Sequence, residues 1–387
     1  MSPLPFGLTN DLEFKDLLVK MATMNIKVVN RHSSGQVYAY VTGLALDNGN
    51  QRCLIKADGK TPYYPSNVSQ TGSPLPVDCA IRLGAQGSTT TITIPHLAGA
   101  RLWFSIDKKL VFLLNPGPAL VEPSVTNPSD LNFNTNWSFA EFTFSNNAIY
   151  ANISYVDFVG LPIALQLTTT DGGVQKVLGL KSTGLADVAA GLKSSSLPSA
   201  ADWAKCVYTS GGKVLRALSP NAANHLYGLS LFQNYYDPYV NQVWNYFANN
   251  ALVVDTQAQW GRLSGRVVNG QLTFAGQGSF SKPNTQDIFS CSTGPFANNA
   301  GAMGPLTARI SAAFNRSTML TGGVHPNDEK VVDYYKVPIT NHYSRLVHGA
   351  NLDGRGYAFP YDDVPGVGVD QSGFVNGNPR EFLVSIG

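Results

Sequence analysis

The chain has 387 residues, 43% of them hydrophobic, enough for a sizeable core and for two domains or one large β-rich domain with an insertion. Only 13% are charged and the formal net charge is +2, with no basic run, which excludes nucleic acid and anionic membrane surfaces as partners. No stretch of eighteen apolar residues occurs, so no transmembrane helix is expected.

Residues 1–22 read as a lead-in, with Asp16-Leu-Leu-Val-Lys-Met21 apolar enough to pack down. Strands are predicted at 26–30 and 36–44, joined by the turn Ser33-Ser-Gly-Gln36. Residues 45–79 are turn-rich, with Asp47-Asn-Gly49 and Asp58-Gly59 as hairpin signals. Further strands follow at 80–83, 89–94, 100–106 and 110–114, and Pro116, Pro118 and Pro123 stiffen the next connection. Two strand-like runs come next, Phe139-Ala-Glu-Phe-Thr-Phe-Ser145 and Ile153-Ser-Tyr-Val-Asp-Phe-Val-Gly-Leu-Pro162, and 161–168 continues the β pattern. Many short strands broken by Gly and Pro argue for a sandwich or barrel.

The composition changes near Thr170-Asp-Gly-Gly173, after which the apolar period moves toward 3.6. Helices are predicted at 185–192, 198–207 and 239–247, the last after the start signal Asp237-Pro238. A hairpin at 265–274 turns at Asn269-Gly270, and helices follow at 306–315 and 341–349. The segment 356–364 and a closing strand at 381–385 return to β character.

Glu141 and Asp157 stand out because each interrupts an apolar, aromatic run. Alternation puts Phe139, Glu141, Thr143 and Ser145 on one face and Ala140, Phe142 and Phe144 on the core face. An acid in such company is costly to bury without a reason, and a pair invites acid/base chemistry. Taken singly, an acid at a strand end is ordinarily solvated or caps a turn. Four cysteines allow three pairings; Cys53 with Cys79 and Cys206 with Cys291 is the simplest, with free thiols as the alternative. No short cysteine spacing occurs and the six histidines are scattered, so neither a metal site nor a cofactor is expected. His342 and His348 read as structural. Sequons occur at Asn67, Asn136, Asn152 and Asn315.

The runs Glu141-Phe-Thr-Phe144 and Ala151-Asn-Ile-Ser-Tyr-Val-Asp-Phe-Val-Gly-Leu-Pro162 resemble glycoside hydrolase family 64, as do Val37-Tyr-Ala-Tyr-Val-Thr-Gly43, Leu110-Val-Phe-Leu-Leu-Asn-Pro-Gly-Pro-Ala-Leu120 and Gly356-Tyr-Ala-Phe-Pro-Tyr-Asp-Asp-Val364. The resemblance covers nearly the whole chain. It implies a mainly β protein with an α/β insertion: a thaumatin-like β-sandwich or barrel domain (1–170 with 350–387) and a mixed α/β domain (171–349), forming a wide cleft. It implies a β-1,3-glucanase of the laminaripentaose-producing type, acting by inversion. The family's acid and base lie sixteen residues apart, as Glu141 and Asp157 do, which assigns Glu141 as general acid and Asp157 as general base. Thr143 and Asn152 flank these acids as candidate sugar ligands, and Asp362 or Asp363 is expected to bind sugar hydroxyls. Trp137, Tyr155, Tyr235, Tyr236, Trp244 and Trp260 are candidate stacking residues, with Tyr235 and Tyr236 in the best cluster.

The expected partner is β-1,3-glucan, and the expected form is a secreted monomer. Met1-Ser-Pro-Leu-Pro-Phe-Gly7 lacks a basic segment followed by an apolar core, so either the protein is not secreted or its leader is already removed; a β-glucan substrate outside the cell favours the second. The alternative reading is a non-catalytic thaumatin-like glucan-binding or cell-wall lectin protein. One geometric demand follows. A tight hairpin at Asn146-Asn147 would set Glu141 opposite Asn152 and leave Asp157 about 16 Å farther along, too far for inversion. Inversion therefore requires the strands to pair differently or to bend.

Overall fold

The computed structural model describes residues 23–33, 35–367 and 370–387; the lead-in predicted at 1–22 lies outside them. Strand residues outnumber helical ones. Two sheets carry most of the β structure. The first has five strands in the order Val174–Val177, Ile163–Thr169, Pro379–Ile386, Met24–Asn30, Thr89–Ile94. Its strands alternate: Ile26 and Val28 are buried while Asn25 and Lys27 face water. The closing strand lies parallel to Met24–Asn30 (Ile26 opposite Phe382) and antiparallel to Ile163–Thr169 (Leu165 opposite Val384). The strand Val174–Val177 also joins this sheet, so the β unit runs past the expected boundary at 170.

The second sheet has eight strands. Phe374–Gly377, Ala148–Asn152, Asn136–Ser145, Leu97–Ile106, Val37–Ala45, Gln51–Ile55 and Pro62–Tyr63 lie side by side, and Ile81–Arg82 adds to Val37–Ala45. Its inner face contributes Leu102, Phe104, Ala140, Phe142 and Phe144 to the same core that holds Ile26, Val28, Leu165 and Val384. The opposite face carries the polar residues described below. A small three-stranded sheet (Ser73–Pro74, Leu113–Asn115, Ala119–Val121) holds the proline-rich connection.

Residues 184–350 supply the helices. The helix Asp237–Asn249 has Pro238 in its first turn and buries Tyr239, Val240, Val243, Trp244 and Phe247 at helical spacing. It packs on the strand Arg262–Val268, whose turn at Asn269-Gly270 is the predicted hairpin (Val268 opposite Gln271), and Trp244 Nε1 donates to Gly270 O at 3.0 Å. The helix Met303–Arg316 is buried along most of its length and runs into the core of this half.

Two expectations need correction. The run 153–162 is not one strand: only Phe158–Val159 is extended in a ladder, and it pairs with Leu218 and Ala217 in a different sheet. The two disulfides are not formed, since all four cysteines are free and buried. Cys206 Sγ turns to Asp202 O, and Cys291 Sγ to Ile288 O and Pro360 O, so each thiol has its own backbone partner. Burial pushes the Cys53 and Cys79 thiols up to about 12, the range of inert structural cysteines.

Candidate active site

The site begins with a hairpin. Asn146 and Asn147 both adopt positive φ (49° and 59°), the left-handed pair that a two-residue turn of the I′ kind requires and that Asn tolerates. The turn fixes the register: Ser145 opposes Ala148, Thr143 opposes Tyr150, and Glu141 opposes Asn152. On the other side Glu141 opposes Arg101, and Arg101 opposes Thr42. One row of the outer face therefore reads Phe374, Asn152, Glu141, Arg101, Thr42. A cavity of about 430 Å³ sits over this row, lined by Arg52, Arg101, Glu122, Glu141, Tyr150 and Asn152 among others, with Thr143 in its wall.

Arg101 is the centre of charge. Its Nε donates to Glu141 Oε1 at 3.2 Å and one terminal nitrogen to Glu122 Oε2 at 2.8 Å. Its guanidinium lies over the Phe139 ring (4.7 Å) and the Trp103 ring (5.3 Å), which fixes its height above the sheet. Glu141 is half-buried.

Asp157 arrives by a detour. The hairpin forms in the register that would have carried Asp157 away, but the chain leaves the ladder after Asn152. Ser154 bridges to Tyr357, the Tyr155 amide donates to Tyr357 O (2.7 Å), and the Tyr343 hydroxyl donates to Tyr155 O (2.6 Å). The Ser219 amide then takes Asp157 O (2.8 Å). The chain folds back: Phe158 packs edge-on against Trp137 at 4.8 Å and lies 6.1 Å from Phe139, and the Leu161 amide donates to Ser138 Oγ at 2.7 Å. Gly160 makes this return feasible, since a Cβ there would sit 2.5 Å from Ser138 Oγ and 3.0 Å from Trp137 O.

Asp157 thus precedes Phe158, whose ring lies against Phe139, the same-face neighbour of Glu141. It keeps solvent access, but protein surrounds it on most sides, and desolvation raises its carboxyl above the usual range against the pull of Arg101 and His225. Both candidate acids feel the same guanidinium.

The remaining predicted residues divide. Thr143 and Asn152 line the cavity, and the Asn152 side-chain oxygen is itself buried beside Tyr150. Asp363 is exposed; partial desolvation raises its carboxyl, with the charges of Asp370 and Asp362 adding to the rise. Its charge helps raise the phenol of Tyr150, second to desolvation. Asp362 is not a surface ligand. It is fully buried, 3.2 Å from Arg316 and 3.1 Å from His348 Nε2, and accepts from the Ala358 amide at 3.1 Å. Burial alone would raise its carboxyl, but His348 and Arg316 hold it below the usual range. Tyr235 and Tyr236 are also core residues, packed with Phe289, and the Tyr235 hydroxyl donates to Thr340 O at 2.9 Å. Trp137, Tyr155 and Trp244 are buried as well, while Trp260 is half-buried.

Cavity residues that escape the sequence reading include Arg52, Arg101, Glu122 and Tyr150. Tyr150 is 41% exposed and stacks on Phe374 at 5.2 Å. Alternation from Asn152 along the second hairpin strand would have put it on the site face. Arg101 follows from the alternation of its own strand. Glu122, in an irregular proline-flanked segment, gives no local signal.

A family model described as β-1,3-glucanase, of glycoside hydrolase family 64, matches residues 22–386. Glucan endo-1,3-β-glucosidases of Cellulosimicrobium cellulans and of an Arthrobacter strain (YCWD3) are each 28% identical over 373 residues, covering 94% of this chain. The chain spans 65% of the length of those relatives. A solved laminaripentaose-producing β-1,3-glucanase in complex with laminaritetraose matches with a TM-score of 0.83 at 30% identity, covering 94% of this chain and 98% of the other. A β-1,3-glucanase domain from Clostridium beijerinckii shares the fold, with a TM-score of 0.73 at 22% identity over 94% of this chain and 98% of its own.

Proposed function

The chain belongs to the β-1,3-glucanases of glycoside hydrolase family 64, and from that premise we propose that it hydrolyses β-1,3-glucan with inversion, Glu141 acting as general acid and Asp157 as general base. The observation that carries this reading is the detour after Asn152, which returns Asp157 to the same arginine that Glu141 contacts.

Cleavage with inversion needs a proton on the leaving oxygen and a base for water on the opposite ring face, with the carboxyls about 6.5–9.5 Å apart. Asp157 suits the base: a carboxyl raised by desolvation is a stronger proton acceptor once ionised, and its solvent access lets water reach it. Thr143, Asn152 and Tyr150 supply a hydroxyl, an amide and an exposed ring for a neutral sugar chain. Asp363, exposed and close enough for its charge to act on Tyr150, is a further hydroxyl acceptor. The low content of charged residues fits a neutral polymer.

The products are short oligosaccharides such as laminaripentaose, by likeness to the enzyme solved with laminaritetraose. The two-sheet unit is read as thaumatin-like, with residues beyond it forming the second wall of the cleft. The protein acts outside the cell, as a monomer and without a cofactor.

The test is cleavage of linear β-1,3-glucan followed by proton NMR. We expect the α-anomer first, and a loss of about 10²–10⁴-fold in Glu141→Gln with binding retained. A β-anomer overturns inversion. Binding without cleavage by the folded wild type moves the assignment to a lectin.

A further inference from the structure

Glu122 is Arg101's closer partner, at 2.8 Å against 3.2 Å for Glu141. Its other oxygen accepts from Thr42 Oγ1 at 2.8 Å, and Thr42 Oγ1 lies 3.0 Å from Trp103 Nε1. An indole N–H can only donate, so it occupies the threonine oxygen and directs the hydroxyl proton to Glu122. Trp103 and Thr42 are buried, which anchors that end of the chain of bonds. Glu122 is therefore held as an acceptor with a donor on each oxygen, one of them the guanidinium.

An acid catalyst beside an arginine has a difficulty, because a nearby cation favours the ionised carboxylate. A second carboxylate on the same cation offsets that pull. The charged and titratable groups facing Glu141 are Arg101 and Glu122, Arg52 across the cavity, Tyr150 on the paired strand, and Asp157 by way of Arg101. Of these, Glu122 is the carboxylate bonded directly to the cation that touches Glu141.

We propose that Glu122 is the positioning residue of acid catalysis: it fixes Arg101 and offsets its charge beside Glu141. This rests on the reading of Glu141 as the acid.

Glu122→Gln tests it, since Gln keeps an acceptor for Thr42 and loses only the charge. On linear β-1,3-glucan the high-pH limb of kcat should move down by about half to one pH unit, with KM near wild type. Activity at pH 7 should fall several-fold. Glu122→Asp, which keeps the charge, should return the limb toward wild type. Thr42→Val, which loosens Glu122 without removing its charge, should move the limb the same way by less, and carries the test should the Gln variant fail to fold. An E122Q profile whose limbs coincide with wild type, whatever its height, overturns the inference. Glu141→Gln is measured alongside. If it keeps wild-type turnover, the acid assignment itself fails; if it is inactive while the E122Q limbs stay in place, only the role of Glu122 fails.

Discussion

Asp157 is crowded by protein yet open to water, and its raised carboxyl sets two expectations. A base works only when ionised, so activity should be lost, as pH falls, at a value above the ordinary aspartate range near 3.9. The limb should vanish in Asp157→Asn, whose turnover drops about 10²–10⁴-fold and is partly restored by azide, a nucleophile that needs no base. Stability runs the other way. A carboxyl raised in the folded state favours folding below its unfolded value, and that contribution is lost as pH rises through the folded value. At pH 7 the ionised side chain is a burden, so Asp157→Asn should melt at a higher temperature than wild type while losing activity. Asp362 is the contrast. Its lowered carboxyl stabilises above the unfolded value, and that support is lost as pH falls through the folded one. Asp362→Asn leaves Arg316 buried without its anion and should cost about 3–5 kcal/mol in denaturant unfolding, with KM unchanged for the folded fraction. At this scale Glu141 and Asp157 stand out in the sequence because each breaks an apolar run. Tyr235, Tyr236 and Asp362 mislead because a polar-aromatic cluster looks the same on a surface as in a core where Thr340 O and Arg316 satisfy it.

The hairpin and the departure after it divide the element scale in the same way. Asn146-Asn147 announces its own turn, and the alternation on either side gives the register. The strand predicted through 153–162 fails because β-formers make a strand only where a neighbour pairs with them. Here the backbone is taken instead by Tyr357, Tyr343 and Ser219, all remote in sequence. Gly160 closes the detour against Ser138 and Trp137. Gly160→Ala should therefore push the Asp157 loop outward, costing about 1–3 kcal/mol by overpacking and at least tenfold in kcat. Urea melts and steady-state kinetics on linear β-1,3-glucan read both; wild-type kcat in the Ala variant would mean that the loop tolerates the displacement.

Across the whole molecule, composition points correctly to a mainly β chain with helices in its later half, and the closing segment does return to β structure beside Met24–Asn30. The cysteines were legible only as a count. Their fate depends on which backbone carbonyl each thiol meets, which spacing does not encode. Four free thiols predict a melting temperature unchanged by reductant, and four equivalents of thiol reagent consumed on denaturation against almost none in the folded protein.

The strand Pro379–Ile386 lies between two partners translated far earlier, and Phe374–Gly377 covers the outer edge of the hairpin strand that carries Tyr150 and Asn152. On the ribosome, Met24–Asn30 and Ile163–Thr169 have no strand between them until these last residues emerge, and the site hairpin keeps a bare edge for as long. Vectorial synthesis thus leaves both sheets incomplete, and the row of site residues unsupported on one side, until residues 374–386 have been made.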